Sequence, residues 1–139
     1  MSESTKLVYE VQVTINRDSF SDNILNVSKD DDNMSVHSQN SDAYEMMVNS
    51  YKEFMVNKHI PEIFATKCFH EISFQQLDDT VFRVQYSSMS QEDLDRYLQS
   101  HAPAFREDFV QNFPTITNVN RKIFRVMSHW GARPVSSSE

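Results

Sequence analysis

Glycine is almost missing from this chain: Gly131 is the only one in 139 residues. A phosphate-cradling loop needs several glycines so that backbone N–H groups can approach the phosphate. The dinucleotide-binding turn and the P-loop are therefore both excluded. Cysteine is as scarce. Cys68 stands alone, which rules out an internal disulfide and fits a reducing compartment. Positive charge is in the minority, with 13 Lys and Arg against 20 Asp and Glu, a net charge of −7. Neutralising a phosphate backbone needs a basic patch, so nucleic acid is not an expected partner. No apolar run approaches the roughly 18 residues needed to span a bilayer, so no membrane partner is expected either. The start, MSESTKL, is polar and has no signal-peptide core. A single cytoplasmic domain over 1–139 is the expectation.

What is present is patterned. Leu7, Tyr9, Val11, Val13 and Ile15 alternate with polar residues, which predicts a half-buried strand over 6–16. Residues 17–43 are rich in Ser, Asp and Asn, with six Asp against Arg17 and Lys29 for a net charge of −4. Such a stretch buries too little apolar area to offset its ordering entropy and reads as a disordered acidic insertion loop. Asp42-Ala-Tyr-Glu45 resembles a capping box and predicts a helix start. Tyr44, Met47, Val48, Tyr51, Phe54, Met55 and His59 then keep helical spacing. Pro61 disfavours a helical Ile60, so a kink or break is expected there, with a short helix beyond it to Thr66. Residues 68–77 and 80–88 read as a hairpin around Asp78-Asp79. Ser90 to Asp93 resembles a second cap. The following stripe runs through Leu94, Tyr97, Leu98, His101, Ala102, Phe105, Phe109 and Phe113, with a kink or break expected at Pro103. A last strand is expected over 118–129, and 131–139 reads as a flexible tail.

The order β-α-β-β-α-β predicts an α+β, ferredoxin-like domain with a four-stranded antiparallel sheet and both helices on one face. The skeleton His-x-Pro occurs twice, at His59 and His101, at equivalent places in the two halves. The other sheet face would carry Glu10, Gln12, Arg83 and Gln85 and, depending on register, Arg121, Ile123 and Arg125. That mixed face can stay in water or meet its copy in a homodimer that closes a barrel.

Tyr51, Phe54, Met55, His59-Ile60-Pro61-Glu62 and Ala65-Thr66, followed by Val84-Gln85-Tyr86, Leu94, Tyr97-Leu98 and His101-Ala102-Pro103, resemble the HIPE…AT and VQY…YL…HAP signatures of a bacterial domain-of-unknown-function family. The resemblance covers most of 6–16 and 44–126 and implies a dimeric α/β barrel. The family usually has Trp where Tyr51 and Phe54 stand and Gly where Lys67 stands, and it lacks the insertion 17–43. Its superfamily includes cofactor-free monooxygenases, cyclases, stress-responsive barrels and proteins with no known activity, so fold-level likeness says little about chemistry.

Three functional readings follow. The first is binding of a small organic molecule in the barrel or in the helix–sheet cleft, with Arg83, Gln85, Tyr97 and Glu62 as candidate ligand contacts and no cofactor. The second is a cofactor-free oxygenase, cyclase or isomerase with His59 or His101 as general base. The third is an interaction or regulatory module that uses loop 17–43. Against the catalytic role stands a structural one, in which each His hydrogen-bonds backbone carbonyls freed by its Pro. A helix C-terminus also favours a cation, which would raise either imidazole pKa. A carboxylate–imidazole pair of Glu62 with His59 fits the spacing better than a metal site, which finds no third ligand nearby. Cys68 reads as a small buried thiol.

Overall fold

The computed structural model describes residues 6–16 and 33–131. β1 spans Leu7–Thr14, β2 Glu71–Asp78, β3 Val81–Ser88 and β4 Asn118–Arg125. They form one antiparallel sheet in the order β2-β3-β1-β4. With the helical segments between β1 and β2 and between β3 and β4, this is the ferredoxin-like arrangement.

The first helical rod is longer than the cap signature predicts. Its opening segment, α1, spans Asn33–Phe54, so 33–43 is helical rather than part of a loop, and Asp42–Glu45 lies inside the helix. The rest of the acidic segment, 17–32, and the tail 132–139 lie outside the described residues. The Tyr44 hydroxyl donates to the Ile15 carbonyl at 2.9 Å, tying α1 to the end of β1.

Neither proline breaks its rod. A π turn, Met55–His59, follows α1 directly and runs into a short α2, Ile60–Phe64. The second rod repeats this: α3 Gln91–Arg96, a π turn Tyr97–His101, and α4 Ala102–Asn112. The residue before each proline is helical, with Ile60 at φ −66° and Ala102 at φ −58°. Its N–H reaches back five residues, to the Met55 and Tyr97 carbonyls respectively. Each proline then lies in the first turn of a new α segment, where a missing N–H costs little. In an α-helix, side chains four apart drift by about 40°. The wider π turn takes up that drift and keeps Tyr51, Met55 and His59 on one inward face. The cap at Ser90 forms as expected, its hydroxyl accepting from the Asp93 N–H at 3.1 Å.

The core lies between rods and sheet. Tyr51 sits at its centre, fully buried, 5.3 Å from the Phe82 ring and edge-on to Phe74, Phe109 and Phe113. Register settles the faces. Val11 pairs with Arg121, Tyr9 with Ile123 and Leu7 with Arg125, which places all three β4 residues on the helix side. The sequence reading offered them to the outer face only if the register allowed it, and the register does not. One-residue registers exchange the two faces of a strand completely, and periodicity alone leaves that choice open for β4.

Candidate functional site

A pocket opens between the second rod, α1 with its π turn, and the strands β1, β3 and β4. It holds about 500 Å³ of empty space, part of it open to solvent. Tyr51 and His59 come from the first rod, Phe105, Phe109 and Arg106 from α4, and Tyr97 from the second π turn. The sheet supplies Tyr9 and Val11 from β1, Tyr86 from β3 and Arg121 from β4.

The pocket is aromatic inside and cationic at its mouth. Tyr9, Tyr86 and Tyr97 form a cluster with ring centroids 5.7–6.4 Å apart. Burial pushes the Tyr51, Tyr86 and Tyr97 phenols well above their ordinary value, so all three stay protonated. Arg106 donates to the Tyr9 hydroxyl at 3.1 Å. Arg106 and Arg121 are both exposed.

His59 is buried and stacks on Phe54 at 5.2 Å, with Phe105 edge-on at 5.7 Å. Burial lowers its pKa to about 4; Asp108 and Glu62 oppose the shift and Lys58 adds to it. The expected helix end is not there, because the π turn runs straight into α2, so desolvation of the imidazolium decides the direction. The expected bond from His59 to a freed carbonyl is not formed either. Its Nδ1 and the Tyr51 hydroxyl are buried with no hydrogen-bond partner among the described residues.

The other candidates are scattered. His101 is half-buried, lies parallel to Tyr97 at 6.3 Å and does not line the pocket. Glu62 is exposed and pairs with Lys58 at 3.4 Å; Lys58 also reaches Asp108 at 2.8 Å, bridging the rods. Arg83 and Gln85 lie on the opposite sheet face. There Gln85 donates to Glu10 at 2.9 Å and accepts from Gln75 at 3.1 Å, while Arg83 donates to Gln75. Of the named candidates the pocket gathers His59 and Tyr97. Sequence reasoning passed over Tyr9, Tyr51 and Tyr86 as site residues because aromatic stripes read as core, and over Arg106 because one exposed arginine on a helix carries no local signal. Cys68 is buried, with its thiol 3.8 Å from the Thr66 carbonyl. Among the described residues no three His, Cys, Asp or Glu side chains converge as metal ligands, and no helix is long and apolar enough to cross a membrane.

Topology and pocket define a ferredoxin-like α+β domain with an aromatic cleft between its helices and its sheet. The chain belongs to the family described as "Domain of unknown function (DUF4286)", which matches residues 34–127. That match begins within the stretch read as an insertion, in keeping with the early start of α1. No curated protein matches the chain. A crystal structure of a protein of unknown function from Nitrosomonas europaea is similar, with a TM-score of 0.57 and 10% identity over 96% of this chain and 100% of that one. It shares the fold. A dimeric ferredoxin-like protein from an uncultured marine organism aligns with a TM-score of 0.43 and 11% identity over 94% of this chain and 100% of that one.

Proposed function

We propose that the cleft binds a small organic molecule with a flat apolar body and a polar group that reaches Tyr51 and His59. The observation that carries this is the pair of unpartnered polar atoms, the Tyr51 hydroxyl and His59 Nδ1, buried at the pocket wall. Each orphaned buried group costs about 1–3 kcal/mol, and buried polar atoms in native proteins are nearly always satisfied. A bound molecule with a donor and an acceptor offsets both costs. The neutral imidazole has one lone pair and one N–H to offer, and the phenol stays a donor.

Binding ranks above base catalysis on magnitude. A drop from 6.5 to about 4 makes His59 a poorer proton acceptor by roughly 3 kcal/mol at about 1.4 kcal/mol per pKa unit. General bases work best with a pKa near the operating pH. The enzyme reading keeps one observation in its favour, an unprotonated imidazole facing a solvent-reaching pocket.

Native mass spectrometry of protein purified from its own cell tests the proposal. We expect a non-covalent adduct that disappears in a Tyr51→Phe, His59→Phe double variant that melts as the wild type does. An adduct that survives both changes, or a wild-type protein that carries none and binds nothing in an NMR fragment screen, overturns it.

We also infer a homodimer joined through the outer sheet faces. Supporting it, the charges of that face are largely held by one another, and Phe124 adds exposed apolar area beside them.

A further inference from the structure

The mouth of the pocket carries charge that no carboxylate among the described residues balances. Arg106 and Arg121 approach it from α4 and from β4, and both lie close enough to Tyr97 to draw its hydroxyl pKa down against the effect of burial. Among the described residues neither guanidinium pairs with a carboxylate; Lys6, Lys58, Arg96 and Lys122 do, and Lys52, Lys67, Arg83 and Arg125 do not. Among the described residues the one hydrogen bond either makes is that from Arg106 to the Tyr9 hydroxyl. In a chain with seven more acidic than basic residues, what sets these two arginines apart is that they converge on one cavity and make it locally positive. Behind them the wall is aromatic, and at its inner end Tyr51 and His59 are buried and unsatisfied. A planar guanidinium fork matches an oxyanion through two parallel N–H bonds.

We propose that the ligand is a flat aromatic molecule bearing one oxyanion, held at the pocket mouth between Arg106 and Arg121, with its ring among Tyr9, Tyr86 and Tyr97 and its other polar group toward Tyr51 and His59. This rests on the pocket-binding reading and adds the ligand's charge and orientation to it. A carboxylate and a phosphate monoester share the required chemistry, and affinity separates them.

Three probes of similar shape make the test: 2-naphthoate, 2-naphthyl phosphate and the neutral 2-naphthamide. Each is titrated into the full-length protein by calorimetry and by NMR. We expect at least one anion to bind about tenfold or more tighter than the amide, with the gap shrinking as salt rises. The tighter anion identifies the group. An Arg106→Gln, Arg121→Gln double variant, changed only at exposed positions, should close the gap by weakening the anions far more than the amide. Equal affinity of the three probes for the wild type overturns the oxyanion assignment while leaving the pocket reading intact. A variant that melts normally yet loses the amide as well also overturns it, because the arginines would then be shaping the pocket. Failure of every probe to shift signals of Tyr9, Tyr97 or His59 overturns the pocket reading together with the inference.

Discussion

Lys67 holds φ at 65°, in the left-handed region, where its Cβ crowds the following carbonyl. It closes the first rod: its N–H donates to the Phe64 carbonyl at 3.1 Å and its carbonyl accepts from Arg96. The side chain is exposed, so little packing is lost by removing it. Left-handed geometry costs a non-glycine residue about 1–2 kcal/mol, and glycine's extra freedom in the unfolded chain returns part of that. Lys67→Gly should therefore stabilise the protein by somewhat under about 1 kcal/mol in urea unfolding, while Lys67→Ala gains nothing. A destabilised glycine variant would contradict this. The family resemblance already pointed to glycine at this position, and the backbone supplies the reason. His59 gives a second test at the same scale. Unfolded, its imidazole takes a proton near pH 6.5; folded, it resists until about 4. Between those values the unfolded state binds more protons, so this group's contribution to stability is full above 6.5 and falls as pH drops to 4. The loss totals on the order of 3 kcal/mol. The charges facing His59 from its own rod are Lys58 and Glu62, and from α4 Asp108. Carboxylates elsewhere titrate equally in wild type and variant, so the difference in unfolding free energy between wild type and His59→Phe isolates the effect. That difference should change by this amount between pH 7.5 and 4; a constant difference would show that the imidazole charges freely in the folded state.

At the scale of elements, the strands and the Ser90 cap were legible because they follow local rules. Alternation fixed β1 and β3 to within a residue or two, and Ser90 caps through its own neighbour Asp93. The start of α1 was not legible. The polarity of 33–43 argued for a loop, and a helix can continue through a polar stretch once its later turns are docked on a sheet. The prolines misled for a related reason. Local sterics say that a residue before proline leaves the helix, yet Ile60 and Ala102 stay in it because a five-residue hydrogen bond absorbs the interruption. The repeat of His-x-Pro was the visible sign of this device; its meaning was not, since a π turn and a kink leave the same mark on the sequence. Pocket residues were hidden in a different way. Tyr51, Tyr86 and Tyr9 have the spacing of core residues, and they are core residues; that a cavity opens beside them depends on side chains from five segments meeting in space. Arg121 was visible, but its face depended on pairing register, a non-local property.

For the whole molecule, the open question is what the outer sheet face meets. Along β1 it carries Val8 and Glu10, both already packed within their own chain. Glu10 takes a bond from Gln85 at 2.9 Å and lies 3.8 Å from Lys122, and Gln85 and Arg83 both connect to Gln75. A face whose polar groups are largely satisfied among themselves can be covered at lower desolvation cost than one with free charges. Phe124, paired across from Val8 and more than a third exposed, adds apolar area at the edge. Two such faces packed against each other would enclose a barrel through a two-fold axis, so every contact would occur twice. Sedimentation equilibrium of the 16.3 kDa chain should then report twice that mass at micromolar concentration. Arg83→Glu would strip Gln75 of its donor and set a second carboxylate close to Glu10 on each copy. The repulsion is doubled by symmetry, so this one change should return the monomer mass with the helix–sheet pocket intact. A wild-type protein that sediments at 16.3 kDa across the concentration range would leave this face to water and remove the barrel.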